Sequence, residues 1–212
     1  MNSINFRTEI LQPSKVVCVG RNFAAHIDEL NNEVPDQPVV FLKPNSAISS
    51  QLVATQTEPI HYESEISFLI IGGQLEGVAF GLDLTKREIQ SKLKHKGLPW
   101  ERAKAFDGAA VFSDFVLIPT SVENLRLELE INGHLVQRGG VNLMLNTPNN
   151  LLDEIASFMS FEDGDILMTG TPSGVGVVNR GDIFVGRIFD DETLLISKEW
   201  QARNMALDEN NN

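Results

Sequence analysis

The segment HYESEISFLI, residues 61–70, has the residue pattern of a β-strand that carries two acidic groups. Alternate residues of a strand point to the same face, so Glu63 and Glu65 are expected to project together. Ile66 and Phe68 then lie on the opposite face, which has the character of protein core. Two adjacent carboxylates repel each other, so one of them needs a raised pKa unless a cation lies between them. The segment therefore predicts a strand of the core with a charged cluster at its start.

A third carboxylate, Asp83, occurs in the otherwise uncharged segment VAFGLDL, residues 78–84. Burial of an unpaired charge is costly, so Asp83 requires a partner. Convergence of Asp83 with Glu63 and Glu65 on one divalent ion satisfies both requirements, and an all-oxygen ligand set favours Mg²⁺, Mn²⁺ or Ca²⁺ over zinc. The spacing alone leaves an alternative open, in which the two glutamates face solvent on an edge strand and Asp83 caps the following helix.

Strands outnumber helices in the rest of the predicted structure. Further strands are predicted at 15–20, 38–44 and 77–85, in a hairpin at 125–137 that turns at Asn132-Gly133, and in two late segments after Gly-Asp turns. Helices are predicted from Phe23 to the Asn31-Asn32 pair, from Lys86 to Lys96 after a capping box of Thr85 and Glu88, and from Thr147-Pro148 to Phe158. Strand and helix do not alternate regularly, so a β-rich α+β fold with mixed strands is favoured. We expect a single domain over residues 1–212, with residues 1–50 as a candidate N-terminal arm or lid subdomain.

Composition narrows the choice of partners and compartment. The 212 residues carry a formal net charge of −12, which argues against nucleic acid and anionic membranes because positively charged surfaces bind both. The one cysteine, Cys18, permits no intrachain disulfide, and the N-terminus has no basic region followed by a long apolar stretch. No apolar run has the length of a membrane span. We therefore expect a cytoplasmic protein that binds neither nucleic acid nor a membrane.

Other residues have side chains suited to acid–base chemistry or to charge stabilisation. His26 and Glu29 are three residues apart on a predicted helix and share a face, and a histidine held by a carboxylate is a ready general base. The alternative is an ordinary surface pair. Either Lys43 or Lys104 is suited to neutralising a substrate carboxylate or an enolate oxygen, although lysines are most often surface residues. The Gly-rich segment TGTPSGVG, residues 169–176, offers backbone N–H groups to a carboxylate.

Six segments together resemble the fumarylacetoacetate hydrolase family. They are KVVCVGRNFAAHIDEL, PVVFLKP, HYESEISFLI, GLDLTKREIQ, PWERAKAFD and GDILMTGTPSGVG, in this order along most of the chain. The combination is specific, because the Glu-x-Glu pair, the later Asp, the Lys and the Gly-Thr-Pro loop occur together. The likeness is greatest to the small single-domain members that act on acylpyruvates and oxaloacetate.

The resemblance implies a fold, a metal site and a set of substrate contacts. The implied fold is a rolled mixed β-sheet of the family's C-terminal-domain type, with few helices, an N-terminal lid helix and assembly as a homodimer. Mg²⁺ or Mn²⁺, with Ca²⁺ as a further option, is expected on Glu63, Glu65 and Asp83. The resemblance implies His26, Glu29 and Lys104 as catalytic residues and Arg21, Lys43, Gln90 and Thr171 as substrate-binding residues.

The reaction implied by the resemblance involves a small 2-oxo or 2,4-dioxo acid and a metal-stabilised enolate. The first expectation is hydrolysis of a C–C bond in an acylpyruvate or fumarylpyruvate type of substrate, or isomerisation. Oxaloacetate decarboxylation or keto–enol tautomerisation passes through the same enolate and is the alternative. A metal-stabilised binding protein without catalysis is the alternative from another functional class.

Overall fold

The computed structural model describes residues 1–30, 33–54, 58–119 and 121–204, and strands dominate it. The α-helices are α1 (Ala24–Glu29), α2 (Arg87–His95), α3 (Glu101–Lys104) and α4 (Pro148–Ala156), and two 3-10 helices cover Asn45–Ala47 and Val141–Leu143. The strands are β1 (Ile4–Phe6), β2 (Glu9–Leu11), β3 (Lys15–Gly20), β4 (Val39–Pro44), β5 (Ile48–Ser49), β6 (Val53–Ala54), β7 (His61–Tyr62), β8 (Ser64–Ile71), β9 (Gln74–Asp83), β10 (Ala110–Phe112), β11 (Val116–Leu117), β12 (Leu125–Ile131), β13 (His134–Gly140), β14 (Ile166–Met168), β15 (Gly176–Val177), β16 (Ile183–Asp190), β17 (Thr193–Gln201) and β18 (Arg203–Asn204). The prediction of a β-rich chain with few helices is confirmed.

Two sheets form most of the structure. The larger has eight strands in the order β4-β3-β14-β8-β9-β10-β5, with β11 paired to β9. The smaller has four strands in the order β13-β12-β16-β17. The pairs β3–β14 and β5–β10 are parallel, whereas the other pairs of the larger sheet are antiparallel. The prediction of mixed strands is therefore confirmed.

The main core lies between these sheets. Phe68 and Phe80 come from the larger sheet and pack with Leu127, Phe184 and Trp200 of the smaller one. The ring centroids of Phe80 and Trp200 are 5.9 Å apart. In β12 buried leucines alternate with less buried charged residues, as expected for a strand with one face in the core. Burial of these large side chains supplies the main driving force for joining the two sheets.

The strand that begins the acidic cluster is internal and interrupted. β8 lies between β14 and β9, so the alternative of an edge strand with solvent-facing glutamates is wrong. The prediction of one continuous strand over residues 61–70 is also wrong, because the strand is broken at Glu63. β7 pairs with β15, whereas β8 pairs with β9 and β14. On one side the pairing partner therefore changes from β15 to β14 at Glu63. On the other side the pairing continues, because His61 bridges Thr85 and the Asp83 N–H donates to the Glu63 carbonyl.

The helix predictions are partly confirmed. The predicted capping box is wrong: α2 begins after Lys86 without a side-chain cap, and the Thr85 hydroxyl instead accepts a hydrogen bond from Lys104 at 2.6 Å. Thr147 does cap α4, by accepting from the backbone N–H of Asn150 at 3.3 Å, but α4 ends at Ala156 before the predicted Phe158.

Two further predicted elements are the hairpin of β12 and β13 and the N-terminal helix. The hairpin of β12 and β13 turns at Asn132-Gly133 as predicted. The N-terminal helix is α1, and its predicted end at Asn31-Asn32 lies outside the described residues. Within residues 1–50, β3, β4 and β5 are strands of the larger sheet, so this part of the chain is continuous with the main fold. None of the helices within the described ranges has the length and apolar character needed to cross a membrane.

Candidate active site

The three predicted carboxylates come together at the end of the β8–β9 pair. Glu63 precedes β8, Glu65 lies in β8 opposite Gly81, and Asp83 is the last residue of β9. The Asp83 N–H donates to the carbonyl of Glu63 at 2.8 Å, which holds the two acidic segments side by side. One carboxylate oxygen from each residue lies within 4.8 Å of the others, and all three side chains are buried. The predicted convergence is therefore observed.

Basic side chains surround this acidic triad. The Lys104 ammonium lies 2.8 Å from Glu63 Oε2 and 2.7 Å from Asp83 Oδ2. Lys43 Nζ lies 2.8 Å from Asp83 Oδ1, and Arg87 forms an ion pair with Glu63 Oε1. Each carboxylate oxygen of Asp83 therefore has its own lysine, which compensates the cost of burying this charge.

Glu65 receives less compensation than its two neighbours. Its Oε2 accepts a hydrogen bond from the backbone N–H of Gly170 at 2.7 Å. Burial, followed by the charges of Asp83 and Glu63, raises the pKa of Glu65 well above its usual value. Burial also opposes ionisation of Glu63, but Lys104 and Arg87 outweigh it and lower the pKa of Glu63. The negative charges of Asp83 and Glu63 likewise outweigh burial and raise the pKa of Lys104.

The acidic triad fits a divalent cation on the chemistry of its donors. All three ligand groups are carboxylates, which are hard oxygen donors of the kind that Mg²⁺, Mn²⁺ and Ca²⁺ prefer. The negative charge that raises the pKa of Glu65 is the charge that such an ion would neutralise. Three protein ligands also leave coordination positions for water or for a chelating substrate.

The predicted histidine–glutamate pair forms, and the Gly-rich loop holds it. His26 Nδ1 donates to Glu29 Oε2 at 3.1 Å on α1, and Glu29 Oε1 accepts from the backbone N–H of Gly174 at 3.0 Å. Because a carboxylate can only accept, Nδ1 carries the proton and Nε2 is left to exchange one. His26 is buried and lines a small cavity that Glu63 also lines. One member of the dyad, His26, and one member of the acidic triad, Glu63, therefore face the same space.

The walls of this cavity are rich in positive charge. Its charged lining residues are Arg21, Arg87, Lys94, Lys104 and Glu63. Burial, together with Arg21 and Arg87, lowers the pKa of Lys94. Positive groups that lie close together in a partly buried cavity repel one another, and an anionic ligand would relieve this repulsion. The cavity is therefore suited to an anionic ligand.

The expected substrate-binding residues occupy different positions. Arg21 and Gln90 line the cavity. Lys43 is fully buried and contacts Asp83 and two backbone carbonyls, so it supports the acidic triad from behind. Thr171 is buried in the Gly-rich loop, where its hydroxyl accepts from the Gln137 side chain at 2.9 Å.

Three residues near the site were not predicted from the sequence. Two of them, Arg87 and Lys94, line the cavity together with the predicted residue Gln90. Arg87 is three residues before Gln90 and Lys94 is four residues after it, so these side chains share one face of α2. That helical spacing was an available signal. Gln137, in contrast, reaches the site from β13, and nothing local in its segment indicates this contact.

The sequence is similar to a family model and to proteins with named activities. The family model described as the fumarylacetoacetate (FAA) hydrolase C-terminal domain matches residues 15–198. The mitochondrial oxaloacetate tautomerase of Saccharomyces cerevisiae is 34% identical over 90% of this chain and 92% of its own length. An oxaloacetate tautomerase of Escherichia coli is 36% identical over 80% of this chain and 85% of its own.

The fold is also similar to that of a solved structure. Fumarylpyruvate hydrolase from Pseudomonas aeruginosa, in complex with Mn²⁺ and pyruvate, matches with a TM-score of 0.84 and 28% identity, over 96% of each chain. The predicted rolled, mixed sheet of the C-terminal-domain type is confirmed.

Proposed function

Because the chain belongs to the fumarylacetoacetate hydrolase family, we propose that it is a metal-dependent oxaloacetate keto–enol tautomerase. The observation that carries the proposal is that His26, which Glu29 holds, and Glu63 of the acidic triad line one cavity. The relatives support oxaloacetate, the alternative from the sequence, better than the acylpyruvate hydrolysis expected first. Tautomerisation requires only that a proton move between two atoms, which suits a single histidine held by a carboxylate.

The charge of the cavity supports a substrate with two carboxylates. Oxaloacetate is a dianion at neutral pH, and four basic residues against one acidic residue line the cavity. We assign the 2-oxo acid end of the substrate to the acidic triad and the distal carboxylate to Arg21, Arg87 and Lys94. Guanidinium groups suit the second role because they bind carboxylates with two parallel hydrogen bonds.

Glu63, Glu65 and Asp83 would hold the divalent ion, with Mg²⁺ as our first choice and Mn²⁺ as the next. Support for a metal comes from the all-carboxylate donor set and from the Mn²⁺ in the related fumarylpyruvate hydrolase. When bound, such an ion supplies Lewis-acid polarisation of a substrate oxygen. Lys43 keeps Asp83 in place through the 2.8 Å contact between Nζ and Oδ1.

The proton transfer is assigned to His26. In the enol-to-keto direction its Nε2 takes the proton from the C2 hydroxyl and returns a proton to C3, so only one O–H bond breaks and one C–H bond forms. Glu29 accepts from Nδ1 throughout and stabilises the imidazolium formed between the two steps. Lys104 places a positive charge beside the oxygen on which negative charge develops. Closure of α1 over the cavity keeps bulk water from the enolate.

Hydrolysis of an acylpyruvate is the second candidate, and a separate surface feature favours it. An apolar groove lined by Leu42, Leu98 and Pro99 shares Phe41 and Trp100 with the reaction cavity. The rings of Phe41 and Trp100 are 5.7 Å apart. Such a groove suits an acyl group that extends beyond the dioxo acid. Oxaloacetate decarboxylation would need no further residue and stays a third outcome of the test.

One assay separates these activities. Enol-oxaloacetate is mixed with wild-type protein and Mg²⁺ or Mn²⁺, and loss of the enol absorbance is followed against a blank with metal alone. We expect accelerated loss of the enol without formation of pyruvate or CO₂. Release of pyruvate would instead identify a decarboxylase, and turnover of acetylpyruvate or fumarylpyruvate would identify a hydrolase.

The metal requirement has its own control in this assay. Glu63→Ala should lose activity, as should wild type treated with EDTA. Turnover by Glu63→Ala in EDTA would contradict the metal-dependent mechanism. Metal-dependent thermal stabilisation without any turnover would support the non-catalytic binding protein instead.

We further propose that the protein is a cytoplasmic homodimer. Support for a dimer comes only from resemblance to the family, and support for the cytoplasm only from the single cysteine. Static light scattering of the purified protein tests the first, with the mass of a single chain as the contrary result. Cell fractionation tests the second.

A further inference from the structure

Gln137 joins two segments of the site although it belongs to neither. It lies on β13 and is 1% exposed. Its amide oxygen accepts from the backbone N–H of Ser64 at 3.0 Å, and Ser64 stands between the metal ligands Glu63 and Glu65. Its amide nitrogen donates to Thr171 Oγ1 and to the carbonyl of Pro172, each at 2.9 Å. The side chain therefore connects the acidic triad with the Gly-rich loop, residues 169–176.

The chemistry of these partners fixes the orientation of the amide. A backbone N–H only donates and a carbonyl only accepts, so Oε1 must face Ser64 and Nε2 must face Pro172. Thr171 Oγ1 then accepts from Gln137, and its own proton must go to another acceptor. Within the described residues, this hydroxyl donates to the Pro172 carbonyl at 3.4 Å, which is a long contact for an O–H donor. The Thr171 hydroxyl therefore donates only a weak hydrogen bond within the described residues, and its proton can be donated to a stronger acceptor.

The Gly-rich loop that Gln137 holds contacts both the acidic triad and the His26–Glu29 dyad. The Gly170 N–H donates to Glu65 at 2.7 Å and the Gly174 N–H donates to Glu29 at 3.0 Å. Both glycines have positive φ angles, +95° and +99°, and a Cβ at Gly174 would collide with the carbonyl of Val136. A loop that needs glycine at both ends has little intrinsic stiffness. The Gln137 side chain binds Thr171 and Pro172, which lie between the two glycines, and so restricts the motion of the loop.

We propose that Gln137 is a positioning residue for the reaction. It fixes the Gly-rich loop against the segment that carries the proposed metal ligands. Through Thr171, which the resemblance to the family implies as a substrate-binding residue, it directs a hydroxyl to donate to an anionic oxygen of the substrate. This inference rests on the proposed function for its second part, because that part requires an anionic substrate. The first part concerns the protein alone and can be measured without metal or substrate.

The first measurement is amide exchange in metal-free protein. Gln137→Met removes the amide at similar length and without charge, and Gln201→Met, on the exposed end of β17, is the matched control. We expect the Gly170 and Gly174 amides of Gln137→Met to exchange at least about 10-fold faster, while Gly186 in β16 is unchanged. Unchanged exchange at Gly170 and Gly174 would overturn the anchoring role.

The second measurement uses oxalate, a chelating dianion, with Mn²⁺-loaded protein. Thr171→Val should weaken oxalate binding about 10- to 100-fold, because it removes a hydrogen bond to a charged group. Gln137→Met should weaken it to a similar extent, because Thr171 Oγ1 loses the donor that directs its own proton to the ligand. The double variant should lose no more than the larger single loss, since both substitutions remove one chain of hydrogen bonds. Losses that multiply would overturn the coupling of Gln137 to Thr171.

A third measurement separates positioning from folding. In the oxaloacetate assay, Gln137→Met should lower kcat/KM of the folded enzyme about 10-fold or more, and Gln137→Glu, which keeps the shape but not the donors, should do the same. A lower melting temperature with an unchanged kcat/KM would assign Gln137 a structural role only. If wild type does not act on oxaloacetate, the proposed function fails, and the exchange and oxalate measurements still decide the role of Gln137.

Discussion

The Nζ atom of Lys104 lies 2.7 Å from Oδ2 of Asp83, at the last residue of β9. The same ammonium lies 2.8 Å from Glu63, so one lysine bridges two of the three proposed metal ligands. Three carboxylates buried together would repel strongly without such a cation. Lys104 therefore has two roles in our interpretation, as a compensating charge in the protein without metal and as a positive charge beside the substrate.

The first role predicts the effect of Lys104→Met. Removal of one partner from a buried ion-pair network leaves uncompensated charge, so we expect a loss of about 3 kcal/mol in the free energy of unfolding of metal-free protein. Mn²⁺ should raise the melting temperature more in this variant than in wild type, because the ion supplies the missing charge. Lys92→Met is the control, since Lys92 is exposed and pairs only loosely with Glu88 at 3.9 Å. Equal stability of Lys104→Met and wild type would contradict the compensating role.

The dyad predicts a rate defect that leaves metal binding intact. His26→Ala should lower the rate of oxaloacetate tautomerisation about 10²- to 10⁴-fold, which is the usual contribution of a general acid–base residue. The affinity for Mn²⁺, measured by calorimetric titration, should stay within about 2-fold. His134→Ala, at an exposed position in β13, serves as the control. Wild-type rates in His26→Ala would remove this residue from the mechanism.

The basic wall of the cavity predicts selectivity for a second carboxylate. Lys94→Gln should raise KM for oxaloacetate about 10-fold and have little effect with acetylpyruvate, whose distal group is neutral. Lys92→Gln, two residues away on the exposed face of α2, should change neither value. Steady-state kinetics with both substrates provides the measurement. An equal change in KM for both substrates would show that Lys94 does not bind the distal carboxylate.

A carboxylate outside the site predicts a specific dependence of stability on pH. Asp165 is fully buried and accepts from the N–H groups of Ser14, Lys15 and Glu162 and from the Lys15 ammonium. Burial opposes its ionisation, but the hydrogen bonds from Lys15, Glu162 and Ser14 outweigh it and lower the pKa of Asp165. A carboxyl whose folded pKa is lowered stabilises the protein above its unfolded pKa of about 4. That stabilisation is lost as the pH falls through the folded value.

The measurement compares wild type with Asp165→Asn in urea unfolding from pH 7 to pH 3. At pH 7 the variant should be less stable by about 2 kcal/mol, because hydrogen bonds to a charged group are lost. The difference should shrink below about pH 4, where the unfolded chain of wild type takes up the proton that the folded protein binds only at lower pH. Asp153→Asn, at an exposed position in α4, is the control. A difference that stays constant with pH would show that the Asp165 charge does not contribute.

Local patterns predicted much of the fold and the chemically reactive groups of the site. The alternation of β12, the Asn132-Gly133 turn and the helix start at Thr147-Pro148 were predictable because each depends on residues close in sequence. The capping box at Thr85 failed because a distant lysine, Lys104, uses its hydroxyl. A pattern that is correct locally can thus be overridden by a tertiary contact.

The sequence by itself determined that three carboxylates, a His–Glu dyad and Lys104 belong to one site, through their spacing and their resemblance to a known family. Only the tertiary structure decided that Lys43 lies behind Asp83, that Arg87 pairs with Glu63, and that Gln137 reaches Ser64 across 73 positions of the chain. The physical reason is that sequence periodicity reports which way a side chain points from its own element. Which side chain it meets there depends on the register and order of strands that pair over long distances.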